Sequence, residues 1–313
     1  MTQISKKQIF LFTLAYFGLR IFSYFFSPST PLYFANPVNW IVSTAILLLV
    51  VYFLLKKNEL GWLIIAAELI LGGAGSFLEI KGVSLRTLLL VSSMLIFNYQ
   101  TIKAKPRSEP LSGSATGDKK YKFFLAFYAI VGISALRGYY LGNNPKFILA
   151  DTIPYLFFLY YFPLKQLLQS EKFRQTTFNM LLAAVLGNFI FTYLTLAGFS
   201  SGVFVLQDSY YHWFRDIASG KVTDYGTGFF RIILNEQLLL VPLLLLFINN
   251  AILSFPLKRE SRQTGYWIPI AMGMTLLPLL TINLTRIYFL ALAAGMLLLF
   301  STKNWKQIGR AHV

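Results

Sequence analysis

The sequence predicts an all-α membrane protein whose helices form one polytopic bundle, and three observations support this. Hydrophobic residues make up 56% of the 313 residues and charged residues only 13%, about half of the charged share of a soluble domain. The basic residues form short clusters between apolar segments, which indicates membrane topology and not a nucleic-acid partner. The chain has no Cys and only two His residues, His212 and His312, so we expect no metal centre.

Ten apolar segments are predicted to cross the membrane, because a helix needs about 20 apolar residues to span the hydrocarbon core. In chain order they are 8–26, 39–55, 60–78, 85–100, 123–141, 148–164, 177–198, 233–254, 266–283 and 285–301. The last two are separated because one continuous helix from Tyr266 to Phe300 would be roughly 52 Å long. The polar residues 281–286 offer the turn. The first segment lacks a signal-peptide cleavage site and contains Arg20, so we retain it as a span.

The distribution of Lys and Arg predicts that both termini are cytoplasmic. In that orientation 19 of the 28 basic residues lie in inner segments. We expect one membrane domain over 1–307, with four spans in 1–101 and six in 123–307. The Gly/Ser-rich segment 102–122 is a predicted cytoplasmic linker, and the aromatic segment 200–228 a predicted external loop. Residues 308–313, IGRAHV, resemble one frame of a common sequencing adapter, so we expect a non-native tail and a native chain that continues beyond it.

Four arginines fall within the predicted spans or at their outer ends: Arg20, Arg137, Arg231 and Arg286. An arginine at the centre of a membrane helix costs about 2.5–3.5 kcal/mol, so each is a functional candidate. Guanidinium groups gathered on the outer side suit an anionic headgroup such as a pyrophosphate. Two structural alternatives stay open: Arg20 reaching the lipid headgroups, and Arg137 pairing with Asp151 of the next span.

Other polar residues near the outer ends of the spans are also candidates. Asn235 follows Arg231 by one turn on the predicted eighth helix and is a candidate substrate contact. Glu236 is either a catalytic base or an arginine partner. His212, in the external loop, is either a general base or an interfacial polar residue. Glu68, in the middle of a span, is a neutral hydrogen-bonded side chain or part of a proton relay, beside glycines that permit close helix packing.

Two blocks resemble the O-antigen ligase/polymerase family. They are GTGFFRIILNEQLLLVPLLLLF (226–247) and LLTINLTRIYFLALAAGMLLLF (279–300). Members of that family show an external Arg, an Asn-containing helix start, and then a helical hairpin whose turn is Thr-x-Ser-Arg. In this chain Asn283 and Thr285 occupy the Thr and Ser positions, and Ile287 replaces the small residue that follows Arg286. The close resemblance covers about 75 residues.

The resemblance implies a metal-independent membrane glycosyltransferase of the bacterial inner membrane, with no cofactor. It would transfer an undecaprenyl-pyrophosphate-linked glycan at the external leaflet to a hydroxyl of lipid A-core (a ligase) or of another glycan (a polymerase). The arginine role of the family falls on Arg231 and Arg286, which we expect to be catalytic together with Glu236. Four further residues are expected to contact substrate: Arg20, Arg137, Asn235 and His212.

Membrane lipids are the other expected partners, and nucleic acids are not. Because the family carries a further external loop after the last span seen here, we expect no transfer by the chain as given. Two alternatives remain open: a lipid or polysaccharide transporter or flippase, and a noncatalytic membrane subunit. A transporter would show discontinuous helices or a chain of coupling carboxylates, for which Glu68 and Asp151 are the candidates.

Overall fold

The computed structural model describes residues 5–26, 36–72, 77–103, 115–226, 228, 230–254 and 286–301. Within these ranges the α-helices are α1 (Lys6–Tyr24), α2 (Asn36–Leu55), α3 (Glu59–Leu71), α4 (Leu85–Lys103), α5 (Ala115–Tyr140), α6 (Pro145–Leu156), α7 (Tyr161–Leu167), α8 (Glu171–Ser200), α9 (Ser209–Asp216), α10 (Leu240–Ser254) and α11 (Arg286–Ser301). The strands are β1 (Glu79–Ile80), β2 (Val83–Ser84), β3 (Gly220–Asp224) and β4 (Phe230–Leu234), and 3₁₀ turns occupy Phe157–Tyr160 and Asn235–Leu239. β1 pairs with β2, and β3 with β4, both antiparallel.

The described residues are mostly helical, as predicted, but they contain four candidate spans and not ten. Four helical segments of the described chain are long and apolar enough to cross a membrane: Pro37–Leu55, Lys122–Tyr140, Pro145–Leu167 and Glu171–Ser200. These are the second, fifth, sixth and seventh of the ten predicted segments. The orientation of the termini stays a prediction.

The first and fourth predicted spans form the 19-residue helices α1 and α4, which are long enough but not apolar enough to be candidate spans. Two further predicted spans are shortened. The third stops after the 13 residues of α3, where Gly72 caps the helix. The eighth begins with β4 and a 3₁₀ turn, so that only 15 residues remain for α10. The ninth segment, 266–283, lies outside the described residues, as do 104–114 of the predicted linker and the tail 308–313. The end of that linker, from Ala115, is already part of α5.

Helix α8 is the central element, and its C-terminal half organises the site described below. It begins at Ser170, whose hydroxyl accepts a hydrogen bond from Phe173 N, the usual way of satisfying a free amide at a helix start. α8 packs against α1, α3 and the β3–β4 hairpin. Gly187 allows α1 to approach closely, since a Cβ there would lie 2.5 Å from Cδ1 of the Tyr16 ring.

The apolar core is divided into three clusters around these elements. The first joins α1 and α8 to α9 and the β3–β4 hairpin, and it contains Trp213, Phe214, Ile232 and Leu234. The second joins α8, α10 and α11, and the third joins α2, α3 and α4 to the 3₁₀ turn at Tyr160. α5 packs against α6, and no residue of its most apolar segment is buried.

Candidate functional site

A buried ion pair joins the first helix to the junction between β4 and α10. Arg20 on α1 is 7% exposed and Glu236 in the 3₁₀ turn is 8% exposed, and the Arg20 guanidinium contacts the Glu236 carboxylate. Because each charge would be costly to bury alone, the pair explains how both side chains sit in this apolar bundle. Of the two roles that the sequence leaves open for Glu236, its position in the structure is that of an arginine partner.

Two further polar side chains complete this site, which we call the polar centre (Tyr16, Arg20, Asn188 and Glu236). The Arg20 Cζ lies 5.2 Å from the ring centroid of Tyr16 and 5.4 Å from that of Phe191, within cation–π range. Tyr16 and Asn188 are also buried, and the Tyr16 hydroxyl lies beside Asn188 and within electrostatic reach of the ion pair. Within the described residues, Tyr16 Oη, Asn188 Nδ2 and both Glu236 carboxylate oxygens make no hydrogen bond of standard geometry.

Gln237 ties the polar centre to the β3–β4 hairpin and to α8. Its side chain is fully buried; Oε1 accepts a hydrogen bond from Leu234 N at 3.2 Å, and Nε2 donates to Thr192 Oγ1 at 3.3 Å. The Thr192 hydroxyl donates to Asn188 Oδ1 at 3.3 Å. These bonds fix the 3₁₀ turn on α8 while Glu236, the preceding residue, contacts α1.

Helix α9 contacts the end of α1 next to Arg20 of the polar centre. Trp213 Nε1 donates to Ser23 Oγ at 3.1 Å, and that hydroxyl donates to the Arg20 carbonyl at 2.8 Å. The Tyr210 and Thr195 hydroxyls are 2.7 Å apart. Burial raises the pKa of Tyr210 to about 12, so its hydroxyl stays protonated at neutral pH.

A small cavity borders Arg20. It is lined by Leu19, Arg20, Ser23, Leu71, Gly72, Phe77 and Ile217, and its volume is ≈ 10 Å³. That is on the order of the space one water molecule needs. A phosphate group does not fit unless the surrounding side chains move.

Arg231 and Asn235 are not arranged as the sequence predicted. Arg231 lies on β4, opposite Thr223 of β3, so the prediction that it shares a helical face with Asn235 is wrong. Its strand neighbours Ile232 and Leu234 are buried in the first core cluster. Alternate residues of a strand point to opposite faces, so the half-buried Arg231 lies on the other face of the hairpin. Asn235 begins the 3₁₀ turn and is exposed.

Arg137 is also separate from the polar centre. It is exposed near the end of α5, and Asp151 is exposed on α6. The structure shows no ion pair between these two described residues, so the predicted alternative of a structural pair is wrong.

His212 and Arg286 complete the predicted set. His212 is half-buried on α9, with its ring centroid 6.1 Å from that of Tyr211. On the same helix a hydrogen bond from Arg215 lowers the pKa of Asp216. Arg286 begins α11, and its side chain lies outside the described part. α11 packs on α10, where Gly295 lies close to Leu245.

Glu68 has a partner that the sequence analysis did not identify. Arg86 Nε lies 3.0 Å from each carboxylate oxygen of Glu68, and its Nη2 donates to the Glu68 carbonyl at 3.2 Å. Glu68 is therefore an ion-pair partner of Arg86, whereas the sequence analysis left open a neutral hydrogen-bonded side chain and a proton relay. The short β1–β2 hairpin between α3 and α4 brings the two residues together.

The sequence analysis also missed Tyr16, Asn188, Thr192 and Gln237. A signal for two of them was present, since Asn188 and Thr192 stand four residues apart in an apolar segment, directly after Gly187. Residues at that spacing share one helix face, and a small residue beside them marks a close helix contact.

The described residues contain no group of three or more His, Asp or Glu side chains that could hold a metal ion. We compared the chain with family models, curated proteins and solved structures, and none of them matches it.

Proposed function

We propose that the chain is a membrane glycosyltransferase of the O-antigen ligase or polymerase type. In this proposal it transfers a glycan from undecaprenyl pyrophosphate to a sugar hydroxyl, on lipid A-core or on another glycan, at the external leaflet of the bacterial inner membrane. One observation carries the proposal. The segment with the family resemblance, 226–247, supplies Glu236 to the polar centre and also Gln237, which ties that centre to β4 and α8.

The proposed reaction needs positive charge at the leaving group. The acceptor oxygen attacks the anomeric carbon and gives up its proton to a base, while the bond from that carbon to the pyrophosphate oxygen breaks. The lipid pyrophosphate leaves with the bonding electrons and gains negative charge. Cations fixed in a low-dielectric site stabilise this charge more than they stabilise the bound donor.

We assign that role to Arg231 and Arg286. Arg231 stands five residues before Glu236, on a hairpin that Gln237 fixes to α8. Arg286 begins α11, the helix that packs on α10. Arg20 adds no net positive charge in the described structure because Glu236 neutralises it. The same pairing leaves Glu236 poorly placed to act as a base until the contact opens.

The alternative of a transporter has less support. It needs acidic side chains that a coupling ion can visit in succession. Of the two candidates, Glu68 is engaged by Arg86, and Asp151 is exposed on α6. No observation on the described residues favours this function over the transferase.

Donor binding tests the proposal without requiring turnover. The purified chain in lipid nanodiscs is titrated with undecaprenyl pyrophosphate, and with undecaprenyl monophosphate as the reference lipid. We expect Arg231→Gln and Arg286→Gln each to weaken binding of the pyrophosphate lipid by about tenfold or more. The reason is that a hydrogen bond to a charged group contributes about 1.5–3 kcal/mol and about 1.4 kcal/mol is tenfold.

Arg215→Gln is the matched control. It removes the same charge from an exposed arginine that pairs with its neighbour Asp216, and it should leave binding unchanged. Wild-type affinity in both Arg231→Gln and Arg286→Gln would refute the proposal. Equal losses in all three variants would show a general charge effect and would also contradict it.

A further inference from the structure

The polar centre is built mainly from hydrogen-bond donors. The Arg20 guanidinium, the Tyr16 hydroxyl and the Asn188 amide all carry N–H or O–H groups. Both Tyr16 and Asn188 are buried, and neither Tyr16 Oη nor Asn188 Nδ2 makes a standard hydrogen bond within the described part of the chain. The Arg20 guanidinium contacts the Glu236 carboxylate, which is the anion of the polar centre.

Glu236 does not satisfy all of these donors. A buried ion pair repays its desolvation only when its geometry is excellent and further hydrogen bonds satisfy the remaining atoms. Glu236 contacts Arg20, and the buried Tyr16 hydroxyl and Asn188 amide nitrogen make no standard hydrogen bond within the described residues. A tetrahedral phosphate offers more acceptor oxygens than a carboxylate, and guanidinium groups recognise phosphates well.

Arg20 also borders a small cavity. It lines the cavity of ≈ 10 Å³ together with Ser23, Gly72 and Ile217. Because the cavity has space on the order of one water molecule, a phosphate group enters this region only if the surrounding side chains move.

From this geometry we propose that Arg20, Tyr16 and Asn188 form a binding site for one phosphate group, in which the Glu236 carboxylate is a built-in competitor. Without ligand, Glu236 occupies the anion position and holds Arg20. When a phosphate group binds, it displaces the carboxylate. This inference deepens the proposed function, on which its assignment to a lipid pyrophosphate rests, and it makes release of Glu236 a condition of ligand binding.

The test measures affinity for inorganic pyrophosphate and for undecaprenyl pyrophosphate in the wild-type chain and its variants. Apparent affinity falls by the fraction of molecules in the competent state. If Glu236 occupies the anion position in at least nine molecules in ten, Glu236→Gln should tighten binding about tenfold or more. Arg20→Gln should abolish the binding of the phosphate group at this site. Asp216→Asn, which removes an acid from an exposed ion pair, should change nothing.

A second variant guards against misfolding of Glu236→Gln, which leaves Arg20 buried without its partner. Glu236→Asp keeps the negative charge nearby but shortens its reach, so it should fold and should tighten binding by a smaller factor. Affinity that is unchanged or weaker in both Glu236 variants overturns the inference. Tightening for the lipid alone identifies a lipid headgroup as the ligand, and tightening for both probes shows that a free pyrophosphate also binds.

The outcomes separate this inference from the proposed function. If lipid binding depends on Arg231 and Arg286 but not on Glu236, the transferase proposal stands and the competitor model fails. If Glu236→Gln tightens pyrophosphate binding while Arg231→Gln and Arg286→Gln have no effect, the phosphate site stands and the transferase proposal fails.

Discussion

The contact between α1 and α8 positions Arg20, and Gly187→Ala tests it. The new Cβ would lie 2.5 Å from Cδ1 and 2.8 Å from Cγ of Tyr16. These atoms are at the base of a fully buried ring, so the ring has little freedom to turn away. Either α1 moves from α8 or the ring leaves its rotamer, and such overpacking costs about 1–3 kcal/mol.

Helix propensity acts in the opposite direction and must be removed from the comparison. Replacing glycine by alanine within a helix stabilises it by about 0.5–1 kcal/mol. Gly132 on α5 is the matched control, because nothing lies within 4 Å of a Cβ built there. The difference in unfolding free energy between Gly187→Ala and Gly132→Ala therefore isolates the overpacking term, about 1–3 kcal/mol.

The assay is reversible unfolding of both variants and of the wild-type chain in the same detergent, followed by circular dichroism. Gly187→Ala should be the less stable variant. It should also weaken phosphate binding, since it displaces Tyr16 from the polar centre. Equal stability of the two variants would refute the close packing of α1 on α8.

Three further predictions concern the same region. Arg20→Gln and Glu236→Gln should each lower the unfolding free energy by about 3–5 kcal/mol. The double variant should lose less than the sum of the two single losses, and a double-mutant cycle in which the losses are strictly additive would contradict the ion pair. Gln237→Leu removes the hydrogen bonds that the Gln237 side chain makes with Leu234 N and the Ile232 carbonyl. It should lower the unfolding free energy by about 1–3 kcal/mol and speed hydrogen exchange in the β3–β4 hairpin. Unchanged exchange would show that Gln237 does not hold the hairpin in place. The pKa of Tyr210 is raised to about 12, above the usual value near 10. Its contribution to stability is therefore complete below about pH 10 and is lost as the pH rises towards 12. Tyr210→Phe should reduce the fall in unfolding temperature over this alkaline range, and an unaltered pH profile would show that another group titrates.

Helices were predictable where apolar segments are long, and strands were not. α2 and α8 follow from extended apolar stretches. The segment 233–239 was assigned to a helix because its apolar residues continue into α10. A short apolar run does not distinguish a strand from a helix by its periodicity. The sequence signal for the hairpin was the pair of glycines before β4, Gly226 and Gly228. In the structure they adopt positive φ values of 72° and 74°.

The candidate site was predictable in its chemistry but not in its pairings. The depth of Arg20 in an apolar segment marked it as unusual, and Glu236 was expected to be either a base or an arginine partner. Which arginine it meets depends on how α1 packs on α8, and a single sequence does not contain that information. The same holds for Glu68 and Arg86, which meet because α3 ends early and a hairpin returns the chain.

The central claim is that Arg231 and Arg286 meet at one site to hold a departing diphosphate. The chain contains no Cys, so Arg231→Cys and Arg286→Cys can be introduced together and joined by a bifunctional maleimide that spans two arginine side chains around a diphosphate. Arg231→Cys with Arg137→Cys is the control pair, since Arg137 lies exposed on α5. We predict efficient crosslinking of the first pair in lipid nanodiscs and little of the control pair. Equal crosslinking of the two pairs, or none of the first, would contradict the proposed transferase site.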